Sequence, residues 1–262
     1  MHFIFPEQIE RVNLTEFDRI YFGSETCQNL IPSCEELKNV LKIAKNIGIE
    51  VTLVTPFCTD IGLRRISKLF GIMDRDTEVV FNDWGVFTEI KNNEMNPVLG
   101  RLLIKQKKDP RINNECDDSI INYFKLSNLQ GKEIQRFLKL QGIGRVELDN
   151  SFQGYELVLD SNIRASLNYP LVYITSSRFC QISSFYKGYP NIFDEYNCNR
   201  ECKDTCFLSL IEDLKIPLLI IGNACYYVNN KLNIKAHIDR IVFNKYIMNY
   251  YYGNDRKNPV KI

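Results

Sequence analysis

The feature that most limits what this chain can fold into is the alternation, through its first half, of short apolar runs with helical periodicities. Parallel strands cannot be joined by a tight turn and need a crossover, usually a helix. Arg19-Ile20-Tyr21-Phe22, closed by Gly23, predicts a strand. Ser33 and Glu36 form an S-x-x-E capping box, the signature of a helix start. Leu37, Val40, Leu41, Ala44 and Ile47 then recur at helical spacing, and Gly48 ends the pattern. Val51-Thr52-Leu53-Val54 predicts a second strand, stopped by Pro56. Leu63, Ile66, Leu69 and Phe70 mark a second helix before Gly71. Val79-Val80-Phe81 predicts a third strand, ending in Asn82-Asp83-Trp84-Gly85. A short helix and a fourth strand around Val98 to Leu103 follow.

Beyond this the pattern loosens. The polar stretch from Lys105 to Ser127 predicts a long loop. Ile134, Phe137 and Leu138 suit a helix, and Arg145-Val146-Glu147-Leu148 a fifth strand. Later strands are expected at Arg164 to Leu167, Leu171 to Thr175, Leu218 to Ile221 and Ile241 to Phe243. Such alternation implies a parallel sheet covered by helices. The number of strands predicts an α/β fold of the (β/α)-barrel type, TIM-barrel-like and irregular in its second half, as one domain over residues 1–262. A doubly wound open sheet is the alternative, although the chain has neither G-x-G-x-x-G nor a Walker A sequence.

Barrel chemistry gathers where the strands end. That rim would carry Ser24, Glu25 and Cys27 after the first strand, and Asn82 and Asp83 after the third. Glu147 and Asp149 lie on the fifth, and Ser176, Ser177, Arg178 and Cys180 come later. Several of these residue types also serve as ordinary caps and turn residues.

The 262 residues carry 33 basic and 32 acidic side chains, a formal net charge of +1. Nothing global draws such a chain to nucleic acid or to an anionic membrane, so a charged partner must meet a local patch. Lys105, Lys107, Lys108 and Arg111 form one such cluster and leave nucleic acid open as a partner, although four charges in a loop are also an ordinary solvated surface. The opening residues, Met1-His2-Phe3-Ile4-Phe5-Pro6-Glu7, do not read as a signal peptide, and the longest apolar runs, such as Ile216 to Ile221, are too short for a membrane span. The expected location is the cytoplasm.

Nine cysteines, an odd number, do not read as a disulfide framework in a reducing compartment. Metal ligation together with buried core thiols suits them better. Cys198, Cys202 and Cys206 are separated by three residues each time. If the segment is helical, all three share a face, where thiolates can clasp a metal centre. Zinc and an iron–sulfur cluster both accept four thiolates, and the spacing does not separate them. His2 and His237, the only histidines, stand in unremarkable contexts. Cys34, Cys58 and Cys116 read as small core hydrophobes.

Six segments, in order, are similar to the peptidase U32 family of collagenase-like proteins. They are Tyr21-Phe22-Gly23-Ser24-Glu25-Thr26-Cys27, Val80-Phe81-Asn82-Asp83-Trp84-Gly85, Gly100-Arg101-Leu102-Leu103, Arg145-Val146-Glu147-Leu148-Asp149, Thr175-Ser176-Ser177-Arg178-Phe179-Cys180 and Cys198-Asn199-Arg200-Glu201-Cys202. The chain most resembles the short ubiquinone-hydroxylation members. The resemblance implies a barrel-like fold and a 4Fe–4S cluster held by four cysteines. On it, Cys180, Cys198 and Cys202 are ligands, and Cys27 is the fourth, with Cys225 and then Cys206 as alternatives. It also implies support of oxygen-independent hydroxylation, or a related redox modification, of an aromatic or nucleobase substrate. A related family member is the expected heterodimer partner. The chain departs from the family where Lys203, rather than an arginine, follows the cysteine pair.

On this reading Glu147, Asp149 and Asp83 line the pocket as acid, base or binding groups. Arg101 and Arg178 pair with a carboxylate, which the guanidinium fork matches. The same side chains could instead form internal barrel ion pairs. A peptidase, as the family name suggests, lacks parts: there is no G-x-S-x-G elbow and no H-E-x-x-H helix. A zinc- or cluster-stabilised binding protein without catalysis is the third reading.

Overall fold

The structure, a computed structural model, describes residues 1–10, 12–157, 159–160, 162–187, 198–203 and 205–244. Its strands are β1 (His2–Phe3), β2 (Arg19–Gly23), β3 (Glu50–Val54), β4 (Glu78–Phe81), β5 (Asn96–Leu99), β6 (Arg145–Asp149), β7 (Arg164–Tyr169), β8 (Leu171–Ser176), β9 (Phe207–Leu210), β10 (Pro217–Ile221), β11 (Ala224–Val228) and β12 (Ile238–Phe243). Its helices are α1 (Pro6–Ile9), α2 (Cys34–Ile47), α3 (Asp60–Phe70), α4 (Trp84–Asn92), α5 (Ile112–Glu115), α6 (Asp118–Phe124), α7 (Lys132–Leu140) and α8 (Gln181–Lys187).

Eight strands form one sheet in the order β1-β2-β3-β4-β5-β6-β7-β12, and every neighbouring pair is parallel. The sheet curls nearly into a closed barrel, the expected TIM-barrel-like fold. Arg240 on β12 reaches Tyr21 on β2 at 2.7 Å and Glu78 on β4 at 2.6 Å across its interior. The period of two along each strand explains the layers. Ile20, Phe22, Leu53, Val79, Phe81, Val146 and Leu148 pack outward with Leu37, Val40, Ile66, Leu69 and Ile90 of the helices. Tyr21, Val54, Val80, Val98 and Val242 form a separate cluster inside. The capping box before α2 is present: Glu36 N–H donates to Ser33 Oγ at 3.1 Å, and Ser33 N–H to the Glu36 carboxylate at 2.6 Å. Gly48, at φ +73°, closes the helix.

The structure departs from the sequence pattern in three places. First, β5 stops at Leu99 rather than running to Leu103. Leu103 N–H bonds back to Gly100 O, making a turn. A side chain at Gly100 would stand 2.6 Å from Phe81 O and closer still to Asn82 Oδ1. Gly100→Ala is therefore expected to lower stability by roughly 1–3 kcal/mol, the usual range for overpacking, read as a drop in the urea midpoint. Second, the stretch from Lys105 to Ser127 is no simple loop, because α5 and α6 interrupt it. The Asp117 side chain caps α6 by accepting from Ile120 N–H.

Third, β8 and β10 do not belong to the barrel. They lie in an antiparallel four-stranded sheet in the order β8-β11-β10-β9. Only Gly222-Asn223 separates β10 from β11, with Gly222 at φ +61°. Two residues can close a hairpin but cannot carry a crossover. The short edge strand β1, together with β12, completes the eight. The small sheet is tied to the strand ends of the barrel. Arg101 donates to Leu171 O at 2.8 Å, and Tyr173 N–H to Asp149 at 2.9 Å. Asn229 donates to Asn150 O at 2.7 Å. Among the described residues no helix is long and apolar enough to cross a membrane.

Candidate functional site

Parallel strands bring their C-terminal ends to one rim, and the small sheet stands over part of it. Arg101, just past β5, is 3% exposed. Its Nε donates to Glu25 at 2.7 Å and its Nη2 to the other oxygen of that carboxylate, while Nη1 donates to Asp149 at 2.7 Å. Lys108 makes a second ion pair with Asp149. The guanidinium lies 5.6 Å from the centroid of the Tyr226 ring. Two cations and two carboxylates cancel, so the network is neutral. Burial pushes the Asp149 carboxyl up, but Lys108 and Arg101 outweigh it and hold that group below the usual carboxylate range. Expected as a partner for a carboxylate on another molecule, Arg101 is instead paired with two carboxylates of its own chain. Beside it, at the mouth of the barrel, opens a cleft, the mouth cleft, bordered by His2, Ser24, Glu25, Asn168, Tyr226 and Asn244, with Leu171 and Ile221 of the small sheet.

Glu147 lies inside the barrel, 2% exposed. It accepts from Tyr21 OH at 3.0 Å and from Asn168 Nδ2 at 2.9 Å, so Asn168 links it to the cleft. Burial raises its carboxyl to about 7, although Tyr21, Ser166 and Asn168 pull it down. The unfolded chain ionises this acid near pH 4.5 and the folded chain only near 7. The resulting cost to the fold is absent below pH 4.5, grows between the two values and is complete above 7, where it amounts to about 3 kcal/mol. Glu147→Gln is expected to flatten that decline and, after losing one hydrogen bond, to be about 2 kcal/mol more stable than the parent at pH 8. Urea titrations at pH 5 and pH 8 check this.

The four cysteines singled out by the resemblance lie on three loops. Cys27 follows β2, before a 3₁₀ turn at Gln28–Leu30. Cys180 immediately precedes α8, and its sulfur accepts from Ser183 N–H at 3.4 Å. The spacing of Cys198, Cys202 and Cys206 would share a face only on a helix, and among the described residues of this segment only Glu201–Lys203 is helical, as one 3₁₀ turn, with Arg200 left-handed at φ +59°. A left-handed arginine costs about 1 kcal/mol or more and persists where its surroundings hold it. Here Arg200 pairs with Glu36 at 2.8 Å, and its N–H donates to the Cys198 sulfur at 3.3 Å.

Burial raises the Cys27 thiol to about 12, and the charges of Cys180 and Cys198 add to the shift. Burial also raises Cys202, with additions from Cys180, Cys27 and Cys198. Cys180 is raised by burial and by Cys198. Cys27 and Cys202 thus lie within reach of the charges of Cys180 and Cys198. Cys206 is raised to about 11 by burial alone, and no other cysteine acts on Cys225. Among the described residues, no group of three or more His, Cys, Asp or Glu side chains converges to hold a single metal ion. Tetrahedral zinc needs its sulfurs about 4 Å apart, whereas a cubane, with irons standing between its thiolates, spreads them further. Cys34 and Cys58 pack against the main core as small hydrophobes.

Asp83 caps α4, accepting from Gly85 N–H at 2.7 Å and from Cys58 N–H at 3.3 Å. Arg178 is exposed and makes no ion pair among the described residues. It borders a second cleft with Cys27, Phe57, Cys58 and Asn223. Asn223 donates to Thr26 O and Ser177 O, while its buried Oδ1 has no partner among the described residues. The basic cluster is largely spent: Lys108 is paired with Asp149, Arg111 with Asp109, and Lys105 donates to Leu102 O. Sequence patterns give no reason to single out His2, and they place Lys108 only in a basic loop cluster rather than at the site. No protein family, curated protein or solved structure matches the chain.

Proposed function

We propose that this chain is an iron–sulfur protein of the peptidase U32 type. On this reading Cys27, Cys180, Cys198 and Cys202 hold a 4Fe–4S cluster, and the protein supports oxygen-independent hydroxylation, or a related redox modification, of an aromatic or nucleobase substrate. The observation that carries the reading is that Cys180 and Cys202 pack on one apolar cluster and that Cys27 and Cys202 feel the charges of Cys180 and Cys198; Cys225, on the same cluster, is the alternative fourth ligand. Bound there, a 4Fe–4S cluster supplies one-electron transfer. The N–H groups of Arg200 and Ser183, aimed at Cys198 and Cys180, are the kind of contact that tunes ligand sulfur.

The mouth cleft takes the substrate in this reading, because it shares Thr26 with the second cleft, which Cys27 borders. Glu147, reached through Asn168, holds a proton near neutral pH. Arg178, exposed and without an ion pair among the described residues, is available to an anionic group, and Arg101 and Asp149 fix the rim. A polynucleotide would need a basic surface, and most of the Lys105–Arg111 cluster is already paired, so a small aromatic molecule is favoured over RNA. A related family member is the partner this reading calls for. Anaerobic purification with iron and sulfide analysis tests the proposal, and about four of each per chain are expected. Stoichiometric zinc in a colourless protein would favour a metal-stabilised binding protein, and a metal-free folded chain would end the proposal.

A further inference from the structure

His2 sits on β1 opposite Tyr21, is 8% exposed and borders the mouth cleft. Its Nε2 lies 2.9 Å from Gly23 O. A carbonyl only accepts, so Nε2 carries the hydrogen and the neutral ring keeps a bare lone pair on Nδ1. Among the described residues no group donates to Nδ1. The Gly23 end of this contact is fixed by its backbone. Gly23 is at φ +119°, a conformation L side chains rarely adopt, and a side chain there would collide with Val54 O. The charged groups facing the ring are Glu25, which favours the imidazolium, and Arg101 and the Met1 amino group, which oppose it. Burial outweighs Glu25 and keeps the ring neutral. Around the cleft Arg101, Glu25, Asp149 and Lys108 are all spent on one another. One basic nitrogen is left over, in a cleft whose walls include Ile4, Leu171 and Val242.

We propose that His2 is the hydrogen-bond acceptor of the mouth cleft, binding a neutral ligand that carries a strong O–H or N–H donor on an otherwise apolar body. The inference rests on the mouth cleft being the ligand site. The ligand donates its O–H or N–H to the Nδ1 lone pair, the ring stays neutral, and no covalent bond is broken.

With only two histidines in the chain, the imidazole ¹⁵N spectrum contains two rings, and His2→Gln assigns them. Phenol is the probe, and cyclohexanol, of similar size and far weaker acidity, is the control. The free protein is expected to show the Nε2–H tautomer at His2. Phenol is expected to shift the Nδ1 resonance by donating its O–H there while the ring stays neutral, and cyclohexanol, the weaker donor, to shift it far less. His2→Gln keeps an N–H for Gly23 O, so its melting temperature and iron content should match the parent while phenol binding falls at least tenfold. An Nδ1–H tautomer in the free protein, no response of His2 to phenol, or equal phenol binding by His2→Gln would each overturn the assignment. Iron is measured on the same samples, so a chain without iron whose His2 still responds to phenol separates failure of the cluster from failure of this inference.

Discussion

Replacing Arg101 with alanine is expected to cost the fold roughly 3–5 kcal/mol, the range for removing one partner of a buried ion pair. The cost comes from what remains. Asp149 keeps Lys108 and Tyr173 N–H. Glu25 keeps only a long contact from Tyr226 OH at 3.4 Å. A buried carboxylate in that position has lost both its counter-charge and a two-pronged hydrogen bond. The small sheet loses an anchor as well, since the Arg101 bond to Leu171 O disappears. Arg101→Lys restores the charge but not the fork, and should recover no more than about half of the loss. Asp149 is depressed in the folded chain, so its contribution is present above the unfolded value near 3.9 and is lost as pH falls through the folded value. The gap between parent and Arg101→Ala should therefore narrow as pH falls through 4. Urea unfolding at pH 7 and pH 3.5 measures both effects. A gap under about 1 kcal/mol at pH 7 would mean that the network is solvated and carries little stability.

What the sequence made legible, and what it hid, follows from range. Strands β2 to β4 and helix α2 could be read because each carries its own local signal: alternation, the Ser33–Glu36 box, the closing Gly48. β1 has two residues and no period to detect. The assignment of β8 and β10 to a second sheet turned on a single dipeptide, Gly222-Asn223, which reads as a hairpin closure only if the runs on either side are taken together. The Gly100-Arg101 segment could be picked out locally. The partners of Arg101 could not, since Glu25 and Asp149 stand 76 and 48 residues away. The Cys198–Cys206 spacing matched a helix, and the left-handed Arg200 defeated that match, because an arginine gives no sign of a left-handed backbone. Asp83 shows the opposite outcome: an acid on the rim that serves as an ordinary helix cap.

Single replacements of Cys180, Cys198 and Cys202 by serine are each expected to lower the iron content of anaerobically purified protein at least tenfold. Losing an outer-shell contact alone costs 10- to 100-fold in metal affinity, and losing a thiolate ligand to iron should cost no less. Serine keeps the shape of cysteine but offers a hard, protonated oxygen where a soft thiolate is required. The folding cost is smaller. Cys202 packs against Ile182, Phe207 and Ile220, and a hydroxyl there costs about 1–3 kcal/mol if left unpaired, a melting shift that can be read separately from the iron assay. Cys34→Ser, which alters only a thiol beside the main core, should leave the iron unchanged. The fourth ligand is decided by three further variants. Cys27 shares its electrostatic field with Cys180 and Cys198, so Cys27→Ser should behave like the other three. Cys206→Ser and Cys225→Ser should not, because neither thiol is raised by any of the four. If Cys225→Ser empties the protein while Cys27→Ser keeps its iron, the centre belongs to the small sheet rather than to the end of β2. It would then stand away from the loop that joins the two clefts.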